Sequence, residues 1–287
     1  MTITEIIQQQ LERPDQVFMV VFFVSFILGE MVFSSFRSVK LYATKDTLNN
    51  LLLGALTFVA IASVKGGVFV MFEWVHEYKL FELSKEPGFH VFLYWALLLV
   101  LNDFMFYVFH LIAHKSRFFW ALHVAHHNSK EYNFTVSIRG LFLLQIFKFP
   151  LWAVMPWIGF DPIDVFFMDS IVYFYQFWVH TKLIGRLGFF EKFMQTPKNH
   201  AIHHSIKPDL LSKNLGGVFI IWDRLFGTYL NTQEEIEFGI PNNIDSDNPW
   251  VIGMHEFKSI WIELKQPGLS FGQRFYIIFG DLPFNRY

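Results

Sequence analysis

The chain has 287 residues, and its 23 lysines and arginines against 25 aspartates and glutamates give a net charge of −2, which excludes a protein that binds nucleic acid through a basic surface. Hydrophobic residues make up 53% of the sequence and charged residues 17%, so the composition excludes a disordered chain and indicates a membrane protein. Cysteine is absent, which leaves His, Asp and Glu as the side chains that could ligate a metal.

Five apolar stretches are long enough to cross a bilayer as helices, since a hydrocarbon core of about 30 Å needs roughly 20 mostly apolar residues. They cover residues 17–36, 48–72, 91–112, 140–159 and 163–179. The last two are predicted to form a hairpin, because Gly159, Asp161 and Pro162 between them are typical of a turn. For residues 48–72, which include Lys65, a buried helix of a soluble protein is the alternative.

The charges of the loops predict the orientation of these spans, because short cytosolic loops collect Lys and Arg. Basic residues follow the first, third and fifth stretches, whereas the turn at Asp161 has none. This pattern predicts five crossings with the C-terminus in the cytosol. The first stretch is followed by Phe-Arg-Ser-Val and not by a small-residue cleavage site, so we expect a span and no cleavable signal peptide.

Nine of the 12 histidines fall between residues 110 and 204, in HxxxH, HxxHH, a single His and a second HxxHH. Residues three or four apart share one face of a helix, so their imidazoles can reach one ion or two adjacent ions. A catalytic ion usually takes about three protein ligands, so eight or nine ligands predict two ions. The candidate ligands are His110, His114, His123, His126, His127, His180, His200, His203 and His204.

The other three histidines, His76, His90 and His255, are interpreted as structural. Because the third span ends at the first histidines and the hairpin begins and ends on the same side, all nine candidate ligands are expected at one cytosolic membrane surface. The sequence therefore predicts an all-α membrane bundle of about five spans, with a cytosolic helical cap that holds a histidine-ligated dimetal site.

Two apolar stretches carry polar residues at the same spacing, i, i+4, i+7 and i+11, which places each set along one helix face. One set ends in His114 and the other in His180. A carboxylate inside a span is costly unless paired, so Asp103 and Asp169 are expected to accept bonds from inward-facing donors or to orient ligands; chance spacing is the alternative. The candidate partners of the ligands are Asp103, Tyr107, Asp169, Tyr173, Gln176 and Asn199.

We divide the chain into three parts: an N-terminal transmembrane region (1–90), a histidine-box domain (91–232) and a C-terminal cytosolic tail packed on the cap (233–287). The HExxH motif of zinc proteases is absent. The paired ExxH motifs of soluble di-iron bundles are absent too, apart from one incidental match at Glu73 and His76. Two iron ions held by neutral imidazoles beside lipid suit the activation of O₂ against a lipid C–H bond.

The histidine motifs resemble the three histidine boxes of the fatty acid hydroxylase superfamily, also called the sterol desaturase family, over roughly residues 103–229. Residues 126–133 (HHNSKEYN), 175–181 (YQFWVHT) and 213–229 are similar to the alkylglycerol monooxygenase-like branch. The resemblance implies an integral, multi-pass enzyme in which the nine histidines bind two iron ions and O₂ oxidises a sterol, fatty acyl or ether lipid. It also implies an external reductant, which is a b-type cytochrome, a ferredoxin or tetrahydrobiopterin. Gln176 occupies a position where some branches have a further His.

Two other functions remain open from the sequence. Desaturation is possible on the same metal pair and differs from hydroxylation in its product. A metal transporter or sensor is the remote alternative, but transporters usually place ionisable residues near the bilayer midplane, whereas most of these histidines lie outside the spans.

Overall fold

The computed structural model describes residues 14–141, 143–244, 246–282 and 284. Within these residues the regular structure is helical, and the only β pairings are isolated bridges between Met194 and Phe219 and between Ser205 and Phe238. The all-α prediction is therefore confirmed. The α-helices are α1 (Pro14–Phe36), α2 (Thr44–His76), α3 (Phe89–Ala113), α4 (Arg117–His127), α5 (Phe134–Ile138), α6 (Leu144–Trp152), α7 (Val154–Ile158), α8 (Pro162–Trp178), α9 (Pro197–His203), α10 (Pro208–Leu211), α11 (Ile221–Phe226), α12 (Pro249–Leu264) and α13 (Phe271–Phe279).

Helices α2 and α3 are long and apolar enough to cross a membrane, by length and composition. They have 33 and 25 residues, which at the α-helical rise correspond to about 50 Å and about 38 Å. Only 11% of the most apolar window of α2 is buried inside the protein, so most of its apolar side chains face outward. Apolar surface of this extent suits lipid better than water, which supports membrane association; the number of crossings stays a prediction.

The predicted fourth span is not a continuous helix. The described residues between 140 and 159 include α6, with nine residues, and α7, with five, and the two helices meet at Ala153. Pro150 lies inside α6 and Pro156 inside α7, and each proline lacks the N–H that an uninterrupted helix uses and crowds the preceding turn. Nine helical residues cover about 14 Å, less than half of a bilayer core. The prediction of a single spanning helix here is therefore wrong.

The predicted turn between the fourth and fifth stretches is confirmed. Gly159 ends α7 with φ +130°, and a Cβ at this position would overlap the carbonyl oxygen of Phe81. The Asp161 side chain then caps α8 by accepting a hydrogen bond of 3.0 Å from the Ile163 N–H, and Pro162 occupies the first turn. Helix α8 has 17 residues. It returns the chain toward the end of α3, where the first histidines lie.

The main apolar core lies between α2, α3 and the α6–α8 segment. Phe72, Leu98, Trp152, Met155 and Val165 are buried together there. This core fixes α3 and α8 side by side, and these are the two helices that lead into the histidines at residues 110, 114 and 180.

Helix α12, in the C-terminal segment, packs on the histidine-bearing helix α4 through a buried ion-pair network. The Arg117 guanidinium donates to Glu256 at 2.6 Å and to the two oxygens of Glu263 at 2.6 and 2.7 Å. It also donates to the Ser259 hydroxyl at 2.9 Å. The Arg117 side chain is 0% exposed and that of Glu256 is 9% exposed, so these charges stabilise each other in place of water.

Arg117→Met is expected to destabilise the protein by about 3–5 kcal/mol, because it removes the buried cation that both glutamates face. The measurement is thermal unfolding of the purified protein in detergent. Lys45→Met is the matched control: the Lys45–Asp247 pair is equally short, 2.7 Å, but its side chains are 78% and 61% exposed, so its loss should cost under about 1 kcal/mol. Equal shifts of the melting temperature in the two variants would contradict the stabilising role of the buried Arg117 network.

Candidate metal centre

All nine histidines that the sequence singles out lie together, in two adjacent groups. In each group every residue offers one ring nitrogen, and these nitrogens lie within 4.8 Å of one another. Metal–nitrogen bonds of about 2.1 Å place opposite ligand atoms about 4.2 Å apart, so a slight contraction would suit one ion in each group. The five-histidine group contains His110, His114, His123, His127 and His203, and the four-histidine group contains His126, His180, His200 and His204.

The two HxxHH motifs each divide between the groups, and helix geometry explains the division. On α4, His123 and His127 are four residues apart and share one face, whereas His126 points to the other group. On α9 and its C-cap, His203 joins the five-histidine group and His200 and His204, again four apart, join the other. Each motif therefore connects the two groups, as two adjacent ions would require.

Four of the imidazoles are held by backbone carbonyl oxygens. A carbonyl oxygen can only accept, so each of these rings carries its proton on Nδ1 and directs the Nε2 lone pair inward. The Nδ1···O pairs are His110 with Leu215 at 2.9 Å, His126 with Arg139 at 3.0 Å, His180 with Gln176 at 2.6 Å, and His203 with Lys213 at 3.0 Å.

The Nε2 atoms of His126 and His180 face each other at 3.2 Å. Each ring uses its single N–H, at Nδ1, to donate a hydrogen bond to a carbonyl, so both Nε2 atoms are acceptors and no hydrogen bond joins them. Burial lowers the pKa of His126 to about 4 and that of His180 well below its usual value, so neither ring gains a second proton at neutral pH. Two lone pairs at this distance repel each other, and a metal ion bound to both nitrogens would remove the repulsion.

Several buried ring nitrogens have no hydrogen-bond partner in the described part of the chain. They are both nitrogens of His114, Nδ1 of His127 and of His200, and Nε2 of His203. An unpartnered buried polar atom costs about 1–3 kcal/mol, so a cluster of them is unfavourable unless a ligand satisfies it. Neutral imidazoles alone suit iron, zinc, copper and nickel. The residues present therefore fit a pair of transition-metal ions.

Asp103 lies behind His110 and acts on it through a loop. Its carboxylate accepts from the backbone N–H of Val218, from that of Phe219 at 3.1 Å and from the Trp222 indole at 2.8 Å. The same loop supplies the Leu215 carbonyl that holds His110. The donors to Asp103 are therefore two backbone N–H groups and an indole, all more than 100 residues away along the chain.

Gly217 allows this close approach, because a Cβ there would overlap the Asp103 carboxylate. Gln176 is bonded twice to the site: its backbone oxygen accepts from His180 and its side-chain amide donates to the Gly217 carbonyl. Gln176 thus connects the loop that holds His110 to His180.

The remaining predicted partners of the ligands lie near the site without a hydrogen bond to a histidine. The Tyr107 hydroxyl bonds Thr228 at 3.0 Å, and the backbone oxygen of Asn199 accepts from Asn214 at 3.0 Å. Asp169 accepts from Lys148 at 2.7 Å, so it has an inward-facing donor but orients no imidazole. Tyr173 lines the cavity described below.

Sequence reasoning missed two side chains that support the site. Arg139, whose carbonyl holds His126, donates from its buried guanidinium to Asp46 and Asn50 on α2, each at 2.8 Å. Glu30 on α1 accepts from the Phe134 N–H at 2.8 Å and from the hydroxyl of Thr181, next to His180. A lone carboxylate in an apolar span is the signal that could have identified Glu30.

A cavity of about 110 Å³ opens on both histidine groups. It reaches His110 and His123 of the five-histidine group and His126, His180 and His200 of the four-histidine group. Much of its wall is apolar, with Phe106, Phe109, Ile138, Leu141 and Leu144. A molecule in this cavity could therefore approach both metal positions from one side.

Comparison with known proteins agrees with this arrangement. Residues 95–228 match the family "Fatty acid hydroxylase". Alkylglycerol monooxygenase of Xenopus tropicalis is 31% identical over 244 residues, which are 84% of this chain and 53% of the relative. Alkylglycerol monooxygenase of Homo sapiens is 31% identical over 268 residues, which are 90% of this chain and 57% of the relative. Ornithine lipid hydroxylase OlsE of Rhizobium tropici is 28% identical over 134 residues, which are 46% of this chain and 40% of the relative. The chain thus spans about half the length of its alkylglycerol monooxygenase relatives, and no solved structure matches.

The two groups predict two separable ions. We expect the double variant H114A/H203A to lose the ion of the five-histidine group and H180A/H204A to lose the other, so each variant should keep about half of the metal of the parent protein. Metal content per chain, measured by mass spectrometry on protein from iron-replete cells, checks this. H255A is the control, because His255 lies in α12 outside both groups. Loss of all metal in H255A would contradict the assignment of the metal ligands to the two histidine groups.

Gly217→Ala and Asp103→Asn are both expected to weaken metal binding, because each displaces the loop that carries the Leu215 carbonyl. Changes to such supporting residues lower metal affinity about 10–100-fold. Competition with a chelator measures the affinity. Gly185→Ala is the matched control, since a Cβ at Gly185 meets no atom within 4 Å. Metal retention equal to the parent in both test variants would show that the loop does not position His110.

Proposed function

Because the chain belongs to the fatty acid hydroxylase superfamily, in its alkylglycerol monooxygenase-like branch, we propose that it is a membrane-bound lipid monooxygenase in which the nine histidines hold two iron ions. The observation that carries the proposal is the cavity that opens on both histidine groups. Its apolar walls suit a hydrocarbon chain, and its position would present one C–H bond to both ions.

The overall reaction balances as R–H + O₂ + 2e⁻ + 2H⁺ → R–OH + H₂O. Two bound iron ions would supply the O₂ activation and the oxidation of the C–H bond, while the protein supplies binding and orientation. The backbone carbonyls of Leu215, Arg139, Gln176 and Lys213 fix the direction of four imidazoles. The apolar wall limits water around the reacting carbon, which protects a reactive oxidant from side reactions.

The electrons come from outside the chain in this proposal. A b-type cytochrome, a ferredoxin or tetrahydrobiopterin would supply them. The substrate is a lipid, of the sterol, fatty acyl or ether class. The names of the relatives, alkylglycerol monooxygenase and ornithine lipid hydroxylase, support a lipid with a polar headgroup.

The membrane arrangement that we propose keeps residues 1–90 as a transmembrane region, 91–232 as the histidine-box domain and 233–287 as a cytosolic segment packed on it. The metal centre lies on the cytosolic side of a multi-pass protein. The basic loops next to the histidines support this side, and the packing of α12 on α4 through Arg117 and Glu256 supports the position of the C-terminal segment.

The test compares lipid products of cells that make the parent protein or the H203A variant, under ¹⁸O₂ and under anaerobic conditions. We expect an oxidised lipid with one ¹⁸O atom that appears with the parent protein alone and disappears without O₂. Products that lose two hydrogens and carry no label would identify a desaturase. Lipid oxidation that persists without O₂, or metal flux in proteoliposomes with no lipid product, would overturn the proposal.

A further inference from the structure

One wall of the cavity is polar, and no histidine contributes to it. Gln145 and Lys148 on α6 and Tyr173 on α8 line this part. The Lys148 ammonium donates to Asp169 on α8 at 2.7 Å. Gln145 and Lys148 are each 8% exposed, so both polar groups are buried inside the bundle and next to the cavity.

The polar wall lies away from the imidazoles along α8. Asp169, Tyr173 and Gln176 follow one another on one helix face, and the backbone oxygen of Gln176 holds His180. Asp169 precedes Gln176 by seven residues, which is about two helical turns or roughly 10 Å. The cavity therefore has imidazoles at one end, and the Lys148 ammonium and the Gln145 amide toward the other.

Packing alone does not account for these polar groups. A buried ion pair adds little to stability compared with apolar residues of the same volume, and Lys148 lies 4.7 Å from the ring centre of Trp152, in surroundings where apolar residues would fit. Gln145 lines the cavity together with Lys148, so its side-chain amide is available to a molecule bound there. A purely apolar ligand would take water from this amide without replacing its hydrogen bonds, which is unfavourable.

We propose that Gln145 and the Lys148–Asp169 pair form a subsite that binds a neutral, oxygen-bearing group of the substrate lipid. This inference rests on the proposed lipid oxidation and adds the residues that select the substrate. The charges of Lys148 and Asp169 cancel, which disfavours a phosphate or carboxylate. A hydroxyl complements the subsite, because it can accept from Lys148 or from the Gln145 amide N–H and donate to the Gln145 oxygen, while Asp169 behind Lys148 balances the positive charge. Binding there would fix which carbon reaches the histidines.

The test measures binding without turnover. Zinc-exchanged protein in nanodiscs is titrated with radiolabelled 1-hexadecanol, hexadecane and hexadecanoate, and partition into empty nanodiscs is subtracted. We expect the parent protein to bind 1-hexadecanol at least about tenfold more tightly than hexadecane, which corresponds to about 1.4 kcal/mol. A carboxylate can also bind the zinc ions, so hexadecanoate is compared between the parent protein and the double variant K148M/D169M. Hexadecanoate binding that is lost in this variant would overturn the neutral-group assignment.

Two variants connect this preference to the subsite. Q145L and the double variant K148M/D169M, which removes both charges together, are each expected to reduce the preference for the alcohol to about threefold or less. K148R keeps the cation and should keep most of the preference. An unchanged preference in both Q145L and K148M/D169M would overturn the proposal. Thermal unfolding of each variant identifies loss of fold, and Q145L carries the test alone where the double variant does not fold.

K85M is the matched control. Lys85 pairs with Asp161 and Asp164 at 3.2 and 3.0 Å near the start of α8, and it does not line the cavity. Its removal should leave the preference unchanged, and an equal loss in K85M would assign the effect to general destabilisation. Because the readout is binding to a zinc-exchanged protein, absence of lipid oxidation would refute the proposed function and leave this result intact, and an active oxygenase without the preference would refute the subsite alone.

Discussion

The site depends on one kind of interaction, the hydrogen bond from a histidine Nδ1–H to a backbone carbonyl. Four rings make this bond, which fixes both the ring nitrogen that carries the proton and the orientation of the ring. The consequence is a set of inward lone pairs, two of which, on His126 and His180, face each other at 3.2 Å. The polypeptide holds the two nitrogens in an arrangement that a cation would stabilise.

Because the carbonyls belong to loops and helix ends, the rest of the fold must hold those segments still. Charged and polar residues of the long apolar helices do so. Asp46 and Asn50 on α2 bind the Arg139 guanidinium, and Asp103 on α3 accepts from the loop that carries Leu215. The ionisable residues of these helices therefore position the ligands from behind, and a buried carboxylate there is explained by its donors.

The sequence predicts the clustering of the nine histidines because the information for it is local. Residues four apart share a helix face whatever the surrounding fold, so the spacing of His123 with His127, and of His200 with His204, is enough to indicate shared sites. The role of backbone carbonyls such as that of Lys213 cannot be identified from the sequence, since any residue type offers one. Their role depends on which loop passes behind which ring, and that is a property of the tertiary fold.

One error of the sequence interpretation, and one distinction that the sequence does not make, have physical causes. Hydropathy sums apolar side chains and ignores the positions of Pro150 and Pro156, which divide residues 140–159 into two short helices. Asp169 has the same helical spacing as Asp103, but spacing along one helix does not specify the neighbour that its face meets. The neighbour is Lys148 on α6 for Asp169 and a distant loop for Asp103, so equal patterns lead to different roles.

Within the described residues, the two groups of clustered ring nitrogens include no carboxylate, and this has an electrostatic consequence. Soluble di-iron bundles place glutamates beside their metals, and these offset much of the ionic charge. Here the clustered donors are imidazoles that burial keeps neutral, as for His126 and His200, and the nearby carboxylate of Asp103 is occupied by backbone N–H groups and an indole. Divalent ions in this site would keep nearly their full charge within a buried environment of low dielectric. Such a site favours anionic ligands and strongly polarises any neutral ligand, and the cavity that reaches both groups determines which molecules meet that field.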